Sequence, residues 1–198
     1  MKNGIVKILI VDDNPVNIQV IGQILRKSRF KVGFAVNGKQ ALSILKETSS
    51  YDLVLLDIDM PEMDGFEVCR QIRRTDELKE LPIIFVSAMS DINYIVNGFD
   101  EGGNEYITKP FNEKELLKRI QTQLNIKQLQ DQLKMSNKIL IEKNKELEKS
   151  RNELLTKNNF LEQFNQLMVD REMRIIDLKK EINSLCKKLG DTEKYTIV

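Results

Sequence analysis

The chain has 198 residues, 41% hydrophobic and 31% charged, with 31 Lys+Arg against 30 Asp+Glu for a net charge of +1. That length accommodates one full domain plus a substantial appendage, with enough apolar material for a core. Residues 1–125 carry 16 basic and 18 acidic side chains (−2) and residues 126–198 carry 15 and 12 (+3), so neither part has the basic excess of a nucleic-acid binder.

The chain contains no histidine, which excludes His-based triads, His metal sites and a phosphohistidine donor within this chain. Cys69 and Cys186 lie far apart and form no ligand motif, as fits a reducing cytosol. No apolar run approaches the ~20 residues of a membrane span, and the N-terminus lacks a signal-peptide pattern.

In chain order, Lys7 to Val11 (KILIV) is a short β-rich run that ends in the acid pair Asp12-Asp13. Pro15 sits near the first turn of a helix, with Val16, Val20, Ile21, Ile24 and Leu25 spaced for one buried face. Residues 31–36 (KVGFAV) read as a strand and Asn37-Gly38 as the turn after it, before a helix carrying Ala41, Leu42, Ile44 and Leu45. The stretch from Asp52 to Gly65 (DLVLLDIDMPEMDG) is the organising one. Its apolar run reads as a buried strand over 53–57, closed by Pro61 and Asp64-Gly65, which leaves Asp57 at the strand's carboxyl end.

A helix follows from Gly65 to about Arg74, carrying Phe66, Val68, Cys69 and Ile72. Pro82 opens a strand over 83–87 (IIFVS), and Ile92, Ile95, Val96 and Phe99 mark a fourth helix ended by Gly102-Gly103. Residues 105–108 (EYIT) form a fifth strand before Lys109-Pro110. Asn112, with Glu115 three residues on, predicts the cap of a fifth helix. Strands alternating with helices over about 120 residues define a doubly wound parallel α/β sheet with right-handed crossovers.

Beyond residue 116, glycine vanishes until Gly190 and proline is absent. One apolar column recurs every seven residues: Ile126, Leu133, Leu140, Leu147, Leu154, Leu161, Met168, Ile175, Ile182 and Leu189. Such a run predicts a coiled coil. Its companion column is uneven, apolar at Leu129, Phe164, Leu178 and Leu185 but polar at Ser136, Lys143, Ser150, Lys157 and Arg171. With the leucine column read as d, Asn137, Asn144, Asn158 and Asn165 fall at a. Either register makes the middle weaker than the ends. A lone helix about 95 Å long would leave its stripe wet, so a parallel homodimer is expected, against a helix that folds back or frays. The expected division is 1–125 for the α/β domain, 126–190 for a coiled-coil helix continuous with the domain's last helix, and 191–198 for a flexible tail.

Each strand that ends at the common rim delivers a polar residue there: Asp12 and Asp13, Asp57, Ser87 and Lys109. Crowded carboxylates repel, and a hard divalent cation with oxygen ligands, Mg²⁺ above all, resolves that repulsion. A carboxylate beside Mg²⁺ and a lysine can attack phosphorus and carry an acyl phosphate, with Ser87 donating to a phosphoryl oxygen. Taken singly, each is an ordinary cap or loop residue. Their coincidence at four strand ends is what carries the chemistry.

With these motifs in view, residues 5–125 resemble the receiver domain of two-component response regulators. The matching residues are Asp12-Asp13, Asp57 with Met60-Pro61 and Asp64-Gly65, Ser87-Ala88, and Lys109-Pro110-Phe111. The resemblance implies a flavodoxin-like fold with strand order 2-1-3-4-5. It further implies phosphorylation of Asp57 by a histidine kinase or phosphotransfer protein, self-catalysed and reversed by autodephosphorylation, in a cytoplasmic protein that is not otherwise an enzyme. In that pattern Asp13, Asp57 and the backbone carbonyl of Asp59 ligate Mg²⁺, with Asp12 acting through water. Lys109 pairs with the phosphoryl group, the Lys109-Pro110 bond is cis, and Ser87 and Tyr106 form the switch pair. Residues 170–190 are more loosely similar to linker helices of bacterial sensor kinases, which points to a coiled-coil protein as a further partner.

Two rivals remain. LLDID at 55–59 fits the nucleophile motif of haloacid-dehalogenase-like phosphatases, with Asp57 attacking and Asp59 as acid, but that family's acid pair follows its lysine whereas Asp12-Asp13 precede everything. The other is a coiled-coil scaffold whose receiver docks without being phosphorylated.

Overall fold

The computed structural model describes residues 5–48, 50–190 and 192–196. Among the described residues ten elements follow one another: β1 (Lys7–Val11), α1 (Pro15–Lys27), β2 (Lys31–Ala35), α2 (Gly38–Glu47), β3 (Leu53–Leu56), α3 (Gly65–Arg74), β4 (Ile83–Ser87), α4 (Ile92–Asp100), β5 (Glu105–Thr108) and α5 (Glu113–Lys188). The strands form one parallel sheet in the order β2-β1-β3-β4-β5. This is the expected doubly wound architecture. The crossover helices cover both faces, which is why β1, β3 and β4 read as unbroken apolar runs.

Alternate residues of each strand feed two cores. Leu9, Val11, Val54, Leu56, Ile83 and Phe85 pack with α2, α3 and Tyr106 on one side. Ile8, Ile10, Leu53, Leu55, Ile84 and Val86 pack with Ile21 and Leu25 of α1 and with Leu116 and Ile120 of α5 on the other. Phe85 sits at the centre of the first core, edge-on to Phe66 with centroids 5.3 Å apart.

Short polar side chains start the helices, each satisfying an orphan backbone N–H. Asn14, Asn37, Asp64 and Asp91 cap α1 to α4. The expected cap of α5 is present: Glu115 N donates to Asn112 Oδ1 at 2.8 Å, while the Glu115 carboxylate accepts from Arg119 instead of returning to the cap.

α4 lies where its apolar residues mark a helix. Of those four residues Ile95 packs against the core, while Ile92, Val96 and Phe99 are 68%, 51% and 48% exposed. The reason is the close approach at Gly98, where a Cβ would lie 3.2 Å from Phe85 and 3.3 Å from Tyr106. The helix is held at that glycine, and the apolar residues around it are left facing outward.

The chain divides into two compact units, Met1–Leu133 and Lys134–Val198. Within the second, the seven-residue column is open: Leu140, Leu147, Leu154 and Leu161 are each more than half exposed, and side-chain hydrogen bonds such as Asn158 to Glu162 and Gln166 to Asp170 stay local to the helix. Residues 192–196 return to a different helix face. There the buried Asn183 amide accepts from the backbone N–H groups of Lys194 and Tyr195 and donates to the Tyr195 carbonyl. Of the tail expected at 191–198, residues 191, 197 and 198 lie outside the described residues.

Both cysteines are unpaired, and their environments differ. Cys69 is buried with its Sγ donating to the Glu101 carbonyl, and burial pushes its thiol up to about 11. Since the thiolate is the nucleophile, iodoacetamide at mildly alkaline pH is expected to alkylate Cys186 and to spare Cys69 until denaturant is added. Peptide mass mapping reads both sites. Alkylation of Cys69 in the native protein would contradict the packing of α3 described above.

Candidate phosphoacceptor site

The register of the sheet brings the strand ends into one rim. Val11 pairs with Leu56, and Ser87 with Thr108, so the residues that follow converge. Asp57 N donates to the Val11 carbonyl at 2.8 Å and Lys109 N to the Ser87 carbonyl at 2.8 Å, which extends the ladder one step beyond the strands on each side. Asp57 therefore stands just past the last residue of β3, one position later than a strand over 53–57 would put it.

Gly65 completes the floor. A Cβ there would collide with the Asp57 carbonyl oxygen and lie 2.9 Å from Ile58 Cα. With Asp64 accepting from Glu67 N at 2.7 Å, the Asp64-Gly65 pair both starts α3 and lets it begin directly beneath Asp57.

Asp12 and Asp57 are buried, Asp13 and Asp59 exposed. One carboxylate oxygen from each of Asp12, Asp13 and Asp57 lies within 4.8 Å of the others. Lys109 Nζ bridges two of them, 2.9 Å from Asp12 Oδ2 and 3.2 Å from Asp57 Oδ1. Asp12 Oδ1 is taken by Asn14 N at 2.9 Å and Asn17 Nδ2 at 3.0 Å. Both oxygens of Asp12 are thus engaged by protein donors. Ile58 N donates to Asp57 Oδ1 at 3.0 Å, so the protein's hold on Asp57 is concentrated on that one oxygen.

Burial raises the Asp57 carboxyl above its ordinary range; Lys109 opposes this, and Asp12 and Asp59 add to it. Lys109 is raised as well: burial pulls its ammonium down, but Asp12 and Asp57 outweigh that. One cation thus faces a group of carboxylates whose mutual repulsion it only partly relieves. Three oxygen donors this close, with a deficit of positive charge, fit a hard divalent cation such as Mg²⁺.

Ser87, fully buried at the end of β4, donates to Asp59 Oδ2 at 3.1 Å and accepts from Met89 N at 3.1 Å. Tyr106 is buried with its hydroxyl donating to the Met89 carbonyl at 2.8 Å. The Lys109-Pro110 peptide is cis. All of the residues expected at the rim are brought together. Two further participants had no signal in the sequence: Asn17, which reaches Asp12 from the first turn of α1, and Met89, whose backbone links Ser87 to Tyr106.

A parallel five-stranded sheet with acids, a hydroxyl and a lysine at its carboxyl rim defines a receiver-like module, and comparison with known proteins agrees. The family model described as response regulator receiver domain matches residues 8–121, and the chain belongs to that family. It is 42% identical over 120 residues to the transcriptional regulatory protein SpaR of Bacillus subtilis, covering 60% of this chain and 51% of that protein. It is 34% identical over 200 residues to a probable cyclic di-GMP phosphodiesterase of Vibrio cholerae serotype O1, covering 95% of this chain and 43% of that protein. The chain therefore spans about half the length of these relatives. Among solved structures, chemotaxis protein CheY4 of Vibrio cholerae matches with a TM-score of 0.58 at 28% identity, over 60% of this chain and 98% of that one. The receiver domain of sensor histidine kinase PA1611 of Pseudomonas aeruginosa PAO1, solved with a magnesium ion in its active-site cleft, matches with a TM-score of 0.58 at 33% identity, over 62% of this chain and 99% of that one.

Proposed function

We propose that Asp57 accepts a phosphoryl group from a phosphohistidine of a partner protein and that the change is passed to a dimeric coiled coil formed by the helix beyond residue 126. The observation that carries the first half is the convergence of Asp12, Asp13, Asp57 and Lys109 on one rim. With no histidine among these 198 residues, the donor imidazole lies outside them.

An Asp57 carboxylate oxygen attacks phosphorus as the donor's N–P bond breaks; the electron pair stays on the departing imidazole, which takes up a proton from solvent. Asp13, Asp57 and the Asp59 backbone carbonyl would hold Mg²⁺, with Asp12, oriented by Lys109, Asn14 and Asn17, acting through water. An ion bound there would supply neutralisation of charge on the transferring group. Lys109 stays beside Asp57 to pair with the phosphoryl oxygens, Ser87 donates to one of them, and Tyr106 reports the hydroxyl's position to the α4–β5–α5 face. No helix among the described residues is long and apolar enough to cross a membrane.

The leucine column supports the second half: an open apolar seam with a seven-residue period fits a second helix of the same kind. A homodimer fits best, and another coiled-coil protein is the further partner the seam would accept. A phosphoryl group adds about −1.5 to −2 charges at Asp57, and that charge acts by biasing the helix pairing.

Intact-mass spectrometry after incubation with acetyl phosphate tests the chemistry. A single phosphoryl adduct that forms with Mg²⁺ and fails to form with EDTA is expected. Release of free phosphate with no adduct would favour the phosphatase, and neither adduct nor release would favour the unphosphorylated scaffold. A second reading, regulation of cyclic di-GMP hydrolysis, is favoured by the alignment with the probable cyclic di-GMP phosphodiesterase of Vibrio cholerae, which covers 95% of this chain and so runs through the helical segment. Incubation of the chain with cyclic di-GMP and Mg²⁺ is expected to leave the nucleotide intact, which would put any such hydrolysis outside these residues.

A further inference from the structure

The side chain of Asp59 is the neighbour of the rim that the chemistry above leaves without a role. Its backbone carbonyl belongs to the expected metal set, but its carboxylate points to Ser87 instead, accepting the hydroxyl proton at 3.1 Å. A serine hydroxyl has one proton to donate. Ser87 Oγ also accepts from Met89 N, and the one proton it now gives to Asp59 is the proton a phosphoryl oxygen would need. The structure assigns Asp59 as a positioning residue that holds the Ser87 hydroxyl in the unphosphorylated state and must surrender it when a phosphoryl group arrives on Asp57. This inference rests on Asp57 being the phosphoacceptor.

Three observations support the assignment. Asp59 is exposed, so its carboxylate is resolvated at little cost when the hydroxyl leaves. Its charge reaches both Asp57 and Tyr106, so a dianionic phosphoryl group at Asp57 would repel it and favour the exchange. Finally, the hydroxyl lies at one end of a continuous chain: Asp59 accepts from Ser87, Ser87 accepts from Met89 N, and the Met89 carbonyl accepts from Tyr106. Asp59 therefore holds the head of the same hydrogen-bonded loop that holds the tyrosine. Asp59 acts as a threshold on the switch. A stronger acceptor than its carboxylate is needed to draw the hydroxyl away, and a phosphoryl oxygen is such an acceptor.

The test is the initial rate of adduct formation with acetyl phosphate and Mg²⁺, followed by intact mass on the full chain. Four proteins are compared: wild type, Asp59→Asn, Ser87→Ala and the double variant. Asparagine keeps an oxygen near the hydroxyl but loses the charge, and is expected to speed phosphorylation roughly fivefold to tenfold, the size of a charge-assisted hydrogen bond weakened by exposure. In the Ser87→Ala background the same substitution should change the rate by less than about twofold, because the hydroxyl it acts through is gone. Equal rates for wild type and Asp59→Asn would overturn the inference. A gain of the same size with and without Ser87 would overturn it too, by showing that Asp59 acts on Asp57 or the anionic donor directly. Absence of any adduct in the wild type would instead overturn the phosphoacceptor reading, and the inference with it.

Discussion

Asp57→Asn is expected to abolish the phosphoryl adduct and at the same time to raise the melting temperature of the receiver. The loss follows from chemistry: an amide oxygen of the same shape is not a nucleophile towards phosphorus, and the other buried carboxylate of the rim is held by its own partners. Asp12 has both oxygens engaged by Lys109, Asn14 and Asn17. The gain follows from electrostatics. Burial, with Asp12 and Asp59 beside it, holds the Asp57 carboxyl above its ordinary range despite Lys109. The folded state therefore binds that proton more tightly than the unfolded chain, and the stability this gives at low pH is lost as pH rises through the folded value. At neutral pH without Mg²⁺ the wild type carries that loss and the amide does not. Thermal melts in EDTA should show the variant's advantage widening from acidic to neutral pH. An adduct on the variant, or a lower melting temperature at neutral pH, would contradict this account of the site.

The second large effect is on association. Leu154→Lys combined with Leu161→Lys is expected to convert a dimer into a monomer. Leu154 and Leu161 are 63% and 55% exposed on the single chain, and burying each in a helix pair is worth about 1.5–3 kcal/mol. Both chains of a dimer lose both residues and gain four ammonium groups in the seam, so dissociation by more than about a thousandfold in Kd is expected. Sedimentation velocity reads the mass directly, and circular dichroism should show reduced helix content in the variant. The receiver itself should still take up a phosphoryl group from acetyl phosphate. A wild type that sediments as a monomer, or a double variant that remains a dimer, would sink the parallel-pair reading.

Most of the α/β domain is legible because both faces of the sheet are covered. The runs LVLL and IIFVS can be dry on both sides only inside a parallel sheet, and the turn residues after them mark where the rim must lie. Asp12, Asp57, Ser87 and Lys109 were readable for the same reason. α4 was readable as a helix, but the way it faces was not: the contact that fixes it is made by Gly98, which has no side chain to announce it. Asn17 and Met89 were invisible because what they contribute is a distance in space: one reaches across a turn to Asp12, and the other acts through its backbone alone. The acceptor of the Ser87 proton was hidden too, since Asp59 reads simply as the acid two residues past Asp57. In the second unit the heptad column was plain, while the return of residues 192–196 to Asn183 had no periodicity to show it.

The most direct measurement is chemical mapping of the phosphorylated residue. After incubation with acetyl phosphate and Mg²⁺, borohydride reduces an aspartyl phosphate to homoserine, which peptide mass spectrometry locates. Homoserine at position 57 and nowhere else is the predicted result. Homoserine at Asp12, Asp13 or Asp59, or unmodified aspartate throughout, would contradict the assignment of Asp57 as the phosphoacceptor.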